Sequence, residues 1–168
     1  MHPEKRTMLL INVLGGIAVL GSYAWGIATH PDPGVVWGGV PESLQPLYTV
    51  SMLTAALGYF LFGGFLLRSV DGDRLRVVNR CFVLILVPSA LWMPLTFQML
   101  AAPSPGLWIA IRIVLALVGL GSLGLLGALL RMGPGSSRAG HVLAIVGAVA
   151  FCVQTALLDA LVWPAYFP

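Results

Sequence analysis

The sequence has very little charge. Only 9% of its 168 residues are Asp, Glu, Lys or Arg, whereas 58% are hydrophobic. A soluble domain carries about 25% charged residues, so this chain lacks the charge needed to cover a water-exposed surface. It also lacks a folded polar segment that would present a basic surface to nucleic acid. Nucleic-acid binding is therefore excluded as an interpretation, and a lipid bilayer is the expected environment.

Residue types that carry catalytic or metal chemistry are also scarce. The chain has three His and two Cys, and the His lie at predicted helix ends or in loops. No spacing resembles a metal site, a Ser/His/Asp set or a phosphate-binding loop. The sequence thus predicts no catalytic residue, no metal and no bound cofactor. Cys81 and Cys152 are expected to be buried, unpaired thiols, because they lie at different depths.

What the chain does contain is five long apolar segments. They cover residues 8–29, 47–67, 81–100, 107–130 and 141–163 approximately. The hydrocarbon core of a bilayer needs about 20 helical residues to cross it, and unpaired backbone groups are not tolerated in lipid. We therefore predict an all-α membrane protein, a five-helix bundle forming a single integral-membrane domain over residues 1–168. The short loops at 101–106 and 132–137 predict that helices three and four, and four and five, are antiparallel neighbours.

Basic residues concentrate on one side of this arrangement. They are Lys5, Arg6, Arg68, Arg74, Arg76, Arg80, Arg131 and Arg138. They precede the first helix or lie in and beside the two loops that join helix two to helix three and helix four to helix five. When successive helices cross the membrane in opposite directions, these regions are on the same side. The positive-inside rule then predicts a cytoplasmic N-terminus and an external Pro168.

Two ionisable residues are predicted to lie inside the bilayer, where charge is costly. Arg112 lies roughly 9 Å below the outer end of helix four, and Asp159 lies about five residues from the outer end of helix five. Similar depth on neighbouring helices suggests an ion pair or a shared pocket. The alternative is that Arg112 extends to the outer headgroups while Asp159 faces water.

Aromatic and amide side chains form a second polar set. Its members are Trp92, Thr96 and Gln98 on helix three and Gln154 and Thr155 on helix five. Tyr23, Trp25, Trp108 and Trp163 lie near helix ends and are typical of the interfacial aromatic belt. Trp92 lies deeper, so it is the tryptophan expected to line a cavity.

Small residues recur along helix four, at Gly119, Gly121, Gly124 and Gly127. Such spacing lets another helix approach closely. Two interpretations remain open: packing inside the bundle, or a homodimer interface.

Three local stretches resemble one known family. Leu47-Tyr48-Thr49 opens helix two after the long loop 30–46, like the Leu-Tyr that the family has there. Residues 90–97 resemble its Asn-x-x-Trp-Ser-x-x-Phe stretch, with Ser89 and Met93 in place of the Asn and Ser. Residues 158–163 resemble its closing Leu-Asn-x-x-Ile-Trp-like segment. With the helix number and chain length, the sequence resembles the TspO/translocator-protein (tryptophan-rich sensory protein) family.

The resemblance implies a pocket for porphyrins or sterol-like ligands, capped by the first loop. Matched positions would line it with Tyr48, Ser89, Trp92 and Phe151. Together with the intramembrane polar residues, the predicted ligand-binding set is Tyr48, Ser89, Trp92, Gln98, Arg112, Phe151 and Asp159, in which Arg112 would meet a ligand carboxylate.

The expected function is therefore non-covalent binding of a hydrophobic ligand: a tetrapyrrole, a sterol-like lipid or another flat apolar molecule. Two alternatives remain. The chain could be an accessory or assembly subunit of a larger membrane complex, which suits the glycines of helix four. It could instead be a sterol- or lipid-modifying enzyme, for which Asp159 is the only intramembrane carboxylate. The expected partners are the bilayer, a hydrophobic small molecule, and a second copy or a larger complex.

Overall fold

Five helices make up almost all of the structure, a computed structural model that describes residues 2–70, 72, 74–135 and 137–167. They are α1 (Pro3–Thr29), α2 (Gln45–Ser69), α3 (Arg74–Ala101), α4 (Pro105–Arg131) and α5 (Arg138–Cys152). A π-helical segment, Val153–Val162, continues α5 and ends in the 3₁₀ turn Trp163–Ala165; a second 3₁₀ turn, Pro33–Trp37, lies in the first loop. All five helices, counting α5 through Ala165, are long and apolar enough to cross a membrane. The chain is thus an all-α, multi-pass membrane protein.

The helices begin earlier than hydropathy predicts. α1 begins at Pro3 and α3 at Arg74, against predicted starts at residues 8 and 81. Hydropathy detects only the part of a helix that lies in the hydrocarbon core. The first turns of these two helices carry charged residues and lie outside that core. Pro3 suits the first turn of α1, where a missing backbone N–H costs nothing.

The helices pack against one another in the order α1, α3, α4, α5, α2. α1 packs along α3, α3 along α4, α4 along α5 and its π-helical continuation, and α5 along α2. The two neighbour pairs predicted from short loops are confirmed. A hydrogen bond from the Tyr59 hydroxyl to the Asn12 amide oxygen also links α2 to α1.

Helices α2 and α5 make backbone-to-backbone contact where Gly58 meets Gly147. A Cβ atom built on Gly147 would lie 2.8 Å from both the Cα and the carbonyl oxygen of Gly58. Only glycine at both positions permits this approach.

Three glycines of α4 face its neighbours within the bundle. A Cβ at Gly119 would lie 3.1 Å from the Cα of Ala156, one at Gly121 would lie 3.1 Å from the carbonyl oxygen of Cys81, and one at Gly124 would lie 3.1 Å from the Cys81 sulfur. The internal-packing interpretation is confirmed for these three residues, while Gly127 faces open space. Cys81 and Cys152 are both free and buried, as predicted.

The two ends of the bundle differ in chemistry. At the end that carries the eight clustered basic residues, which we call the basic end, Asn79 donates through Nδ2 to the Glu4 carboxylate at 3.0 Å, and Arg76 Nε lies 3.4 Å from it. At the opposite end, which we call the loop end, the first loop meets the C-terminal segment. There the Gly39 N–H donates to the Tyr166 carbonyl at 2.7 Å.

Candidate functional site

Aromatic side chains fill the bundle at the loop end. The ring centroids of Trp92 and Trp163 lie 5.7 Å apart, and Trp163 stacks on Phe167 at 4.4 Å. Trp37, from the first loop, meets Tyr48 edge-on at 5.9 Å. We call this group the tryptophan cluster: Trp37, Tyr48, Trp92, Trp108, Trp163 and Phe167. It is one continuous apolar cluster assembled from α2, α3, α4, the first loop and the C-terminal segment.

Asp159 is held beside this cluster by Gln154, whose Nε2 donates to Oδ1 at 2.7 Å. Residues five apart on an α-helix point about 140° away from each other. The π-helical segment, whose hydrogen bonds run between residues five apart, brings them together. The backbone N–H of Trp163 shows this pattern, because it bonds to the carbonyl of Leu158.

Asp159 lies beside the tryptophan cluster. The residues on either side of it, Leu158 and Ala160, pack against the tryptophan cluster. Tyr23 meets Trp92 edge-on, with centroids 6.0 Å apart. An intramembrane carboxylate is therefore embedded against the tryptophan cluster.

Buried side-chain polar atoms without a hydrogen-bond partner occur in both halves of the described bundle. One is Asn79 Oδ1 at the basic end, and four belong to residues in the half that carries the tryptophan cluster. These four are Tyr48 Oη, Trp92 Nε1, Thr96 Oγ1 and Gln154 Oε1. Three of their residues, Tyr48, Thr96 and Gln154, are at most 5% exposed. Buried polar groups in proteins are nearly always bonded, and an exception needs a specific explanation. Both donors and acceptors are present here, so the group is suited to a molecule of mixed polarity.

The first loop covers the tryptophan cluster. Trp163 Nε1 donates to the Val36 carbonyl at 3.0 Å, and Gly39 bonds to Tyr166 as described above. Gly38 adopts a φ of +58° and passes so close to Phe167 that a Cβ there would lie 3.0 Å from its ring. The loop is therefore fastened to the C-terminal segment by two hydrogen bonds and by close packing at Gly38.

Comparison with known proteins identifies no relative. No family model, curated protein or solved structure matches this chain. The site is therefore interpreted from its own geometry.

The predicted pairing of Arg112 with Asp159 is wrong. Arg112 is exposed on α4, with its guanidinium carbon 5.8 Å from the centroid of the Trp108 ring. Asp159 is bonded to Gln154 instead. The two helices are neighbours as expected, but Arg112 projects outward, where a long side chain can extend to the headgroups.

The remaining predicted residues do not form a single group. Tyr48, Trp92 and Asp159 come together at the loop end. Phe151 instead packs nearer the middle of the bundle, 5.7 Å from the rings of both Tyr59 and Phe62. Gln98 is exposed, and Ser89 is partly buried on α3. Thr155 likewise turns away from the tryptophan cluster, lying 2.9 Å from Ser122 Oγ on α4. Among the described residues, no group of three or more His, Cys, Asp or Glu could hold a metal.

Three residues at the loop end have roles that the sequence did not reveal. Trp163 was expected in the interfacial belt, but it is only 4% exposed and forms the centre of the tryptophan cluster. Tyr23, also expected in the belt, faces Trp92. Gln154 was recognised as an intramembrane polar residue, but its bond to Asp159 depends on π-helical geometry, which has no hydropathy signature.

The absence of an ion pair gives the first testable expectation. Arg112→Met and Asp159→Asn should have additive effects on the free energy of unfolding, because their side chains share no contact. A double-mutant cycle measured by SDS-induced unfolding in mixed micelles tests this. A coupling energy above about 0.5 kcal/mol would contradict the exposed position of Arg112.

Proposed function

We propose that this chain is an integral-membrane binding protein for a hydrophobic small molecule, which it holds within the tryptophan cluster. The observation that carries the proposal is the set of four buried, unbonded polar atoms in the loop-end half of the bundle, one of them on Gln154, which is bonded to Asp159. A site that only stabilised the fold would be expected to satisfy its polar groups or to omit them. A bound molecule would supply their hydrogen-bond partners, and the surrounding rings would supply contact area.

Access to the site would be through the first loop. Trp37 rests on Tyr48, and the loop is fastened by few hydrogen bonds, so moving it would expose Tyr48, Trp163 and the polar atoms behind them. Loop segments with few contacts open at low free-energy cost compared with helices. The proposed cycle is release of the loop from the C-terminal segment, binding, and closure over the ligand.

The resemblance to the TspO/translocator family supports the same assignment. The family's pocket lies under its first loop, and the residues matched to it here include Tyr48 and Trp92, which the structure brings into one cluster. Tetrapyrroles and sterol-like lipids are accordingly the ligand classes that we propose to test first.

Replacing Trp92 tests the location of the site. Trp92→Phe removes an indole N–H and part of the ring surface, and we expect it to weaken ligand binding by about tenfold, as for loss of one buried hydrogen bond with its contacts. Binding of protoporphyrin IX and of dehydroergosterol to the purified protein is followed by ligand absorbance and ligand fluorescence, so that the loss of a tryptophan does not itself change the signal.

The matched control is Trp25→Phe. Trp25 is on α1 and is 45% exposed, so this variant should bind as the unaltered protein does. Equal losses in the two variants, or no saturable binding of either probe, would exclude a ligand site at Trp92.

We also propose that the basic end is cytoplasmic and the loop end external, following the positive-inside rule. In a background without Cys81 and Cys152, a cysteine at Gly133 reports on the basic end and one at Val35 on the loop end; both positions are exposed. A membrane-impermeant maleimide should label Val35→Cys but not Gly133→Cys in intact cells. The reverse pattern would overturn the proposed orientation.

A further inference from the structure

The loop end of the bundle carries almost no positive charge. Of the nine Lys and Arg residues, eight are at the basic end, and the ninth, Arg112, is exposed on α4. Within the described chain, Asp159 therefore has no cationic partner, and its one side-chain hydrogen bond is from the neutral Gln154. A carboxylate in this position is stabilised by any positive charge brought next to it.

The aromatic cluster beside Asp159 and the unbonded oxygens in this half of the bundle also suit a positive charge. The aromatic rings of Trp92, Trp163 and Tyr48 present π-faces and edges within one cluster, and a cation over such a face is attracted by the ring quadrupole. Gln154 Oε1 is an acceptor without a donor, and the hydroxyl oxygens of Tyr48 and Thr96 can also accept. An ammonium group, which has only donors, complements these oxygens.

We propose that the ligand of this site is a cationic amphiphile, an amine that is protonated at neutral pH and attached to an apolar aromatic or polycyclic body. Its ammonium group would lie against Asp159 and Gln154 Oε1, and its apolar body among the rings of the tryptophan cluster. This inference rests on the proposed function and narrows its ligand class. It departs from a ligand carboxylate held by Arg112, because Arg112 is exposed on α4 at the Trp108 edge of the cluster, whereas Asp159 is bonded to Gln154.

Three probes of matched shape test the charge. They are 4-phenylbutylamine, 4-phenylbutanol and 4-phenylbutyrate, which are cationic, neutral and anionic at pH 7. Each is titrated against the purified protein in nanodiscs, by displacement of dehydroergosterol and by the ligand-induced rise in thermal unfolding midpoint. We expect the amine to bind at least tenfold more tightly than the alcohol, and the carboxylate to bind most weakly.

Asp159→Asn tests the residue responsible. Asparagine keeps an oxygen that can accept the bond from Gln154 but removes the charge, so the preference for the amine over the alcohol should fall to below threefold. The matched control is Glu42→Gln, a carboxylate in the exposed part of the first loop, which should leave the preference unchanged.

The outcomes separate this inference from the proposed function. Trp92-dependent binding of dehydroergosterol with no preference for the amine, or with a preference that survives Asp159→Asn, would overturn the cationic ligand alone. Failure of every probe to bind in a Trp92-dependent way would overturn both. If Asp159→Asn does not fold, the ranking of the three probes on the unaltered protein still tests whether the site prefers a cation.

Discussion

Gly58→Ala is expected to be the most destabilising single-methyl addition in this chain. A Cβ atom on Gly58 would collide with the backbone of Gly147, its carbonyl oxygen above all. A flexible side chain could rotate away from such a contact, but two packed helix backbones can move only by separating. Overpacking a well-packed core costs about 1–3 kcal/mol, and we expect at least the upper value here, because α2 and α5 would have to move apart along their shared contact.

Gly63→Ala is the matched control on the same helix. Nothing lies within 4 Å of a Cβ placed there, and alanine has the better helix propensity. The free energy of SDS-induced unfolding should therefore be unchanged or slightly raised in Gly63→Ala and lowered by about 3 kcal/mol in Gly58→Ala. Similar values for the two variants would show that the helices do not meet at Gly58. Gly147→Ala should reproduce the loss, because its Cβ meets Gly58 in turn.

Gln154→Leu is expected to have the second largest effect. It removes the side-chain donor to Asp159 and leaves a carboxylate at the tryptophan cluster without that bond. Hydrogen bonds to charged groups contribute about 1.5–3 kcal/mol, and an orphaned charged partner raises the cost further. We therefore expect a loss of about 3 kcal/mol in the free energy of unfolding.

Gln98→Leu supplies the control, since the same substitution occurs there at an exposed position on α3, where surface changes usually stay within about 0.5 kcal/mol. Adding Asp159→Asn to Gln154→Leu should recover part of the loss, because no carboxylate then remains to be orphaned. An unchanged loss in the double variant would mean that Gln154 stabilises the fold by packing and not through Asp159.

The helices could be predicted from the sequence because a bilayer restricts the secondary structure of a spanning segment. Lipid requires every backbone group to be paired, so each apolar run of about 20 residues had to become a helix. Loops of a few residues then made α3 and α4, and α4 and α5, antiparallel neighbours. The errors were at helix ends such as Arg74, where charged turns continue a helix beyond the hydrocarbon and hydropathy carries no signal.

The candidate site was only partly predictable. The sequence shows how deep in the membrane a residue lies along its helix, but it does not show which side of the helix faces the bundle. Arg112 and Asp159 were placed on the correct helices, but Arg112 faces outward and Asp159 faces the tryptophan cluster. Trp163 shows the same limit, since its position near a helix end suggested the membrane interface while the folded C-terminal segment buries it.

The sequence by itself therefore determined the class of protein, the number of helices and the difference in charge between the two ends. These properties follow from composition and from the spacing of apolar and charged residues along the chain. Lipid and water select directly for that spacing, because apolar segments partition into the bilayer and charged segments remain in water. The tertiary structure alone decided which polar groups meet. The bond between Gln154 and Asp159 exists because a π-helical segment rotates two residues onto one face. The close approach of Gly58 to Gly147 exists because two helices distant in sequence cross there, and neither contact is encoded in a local pattern.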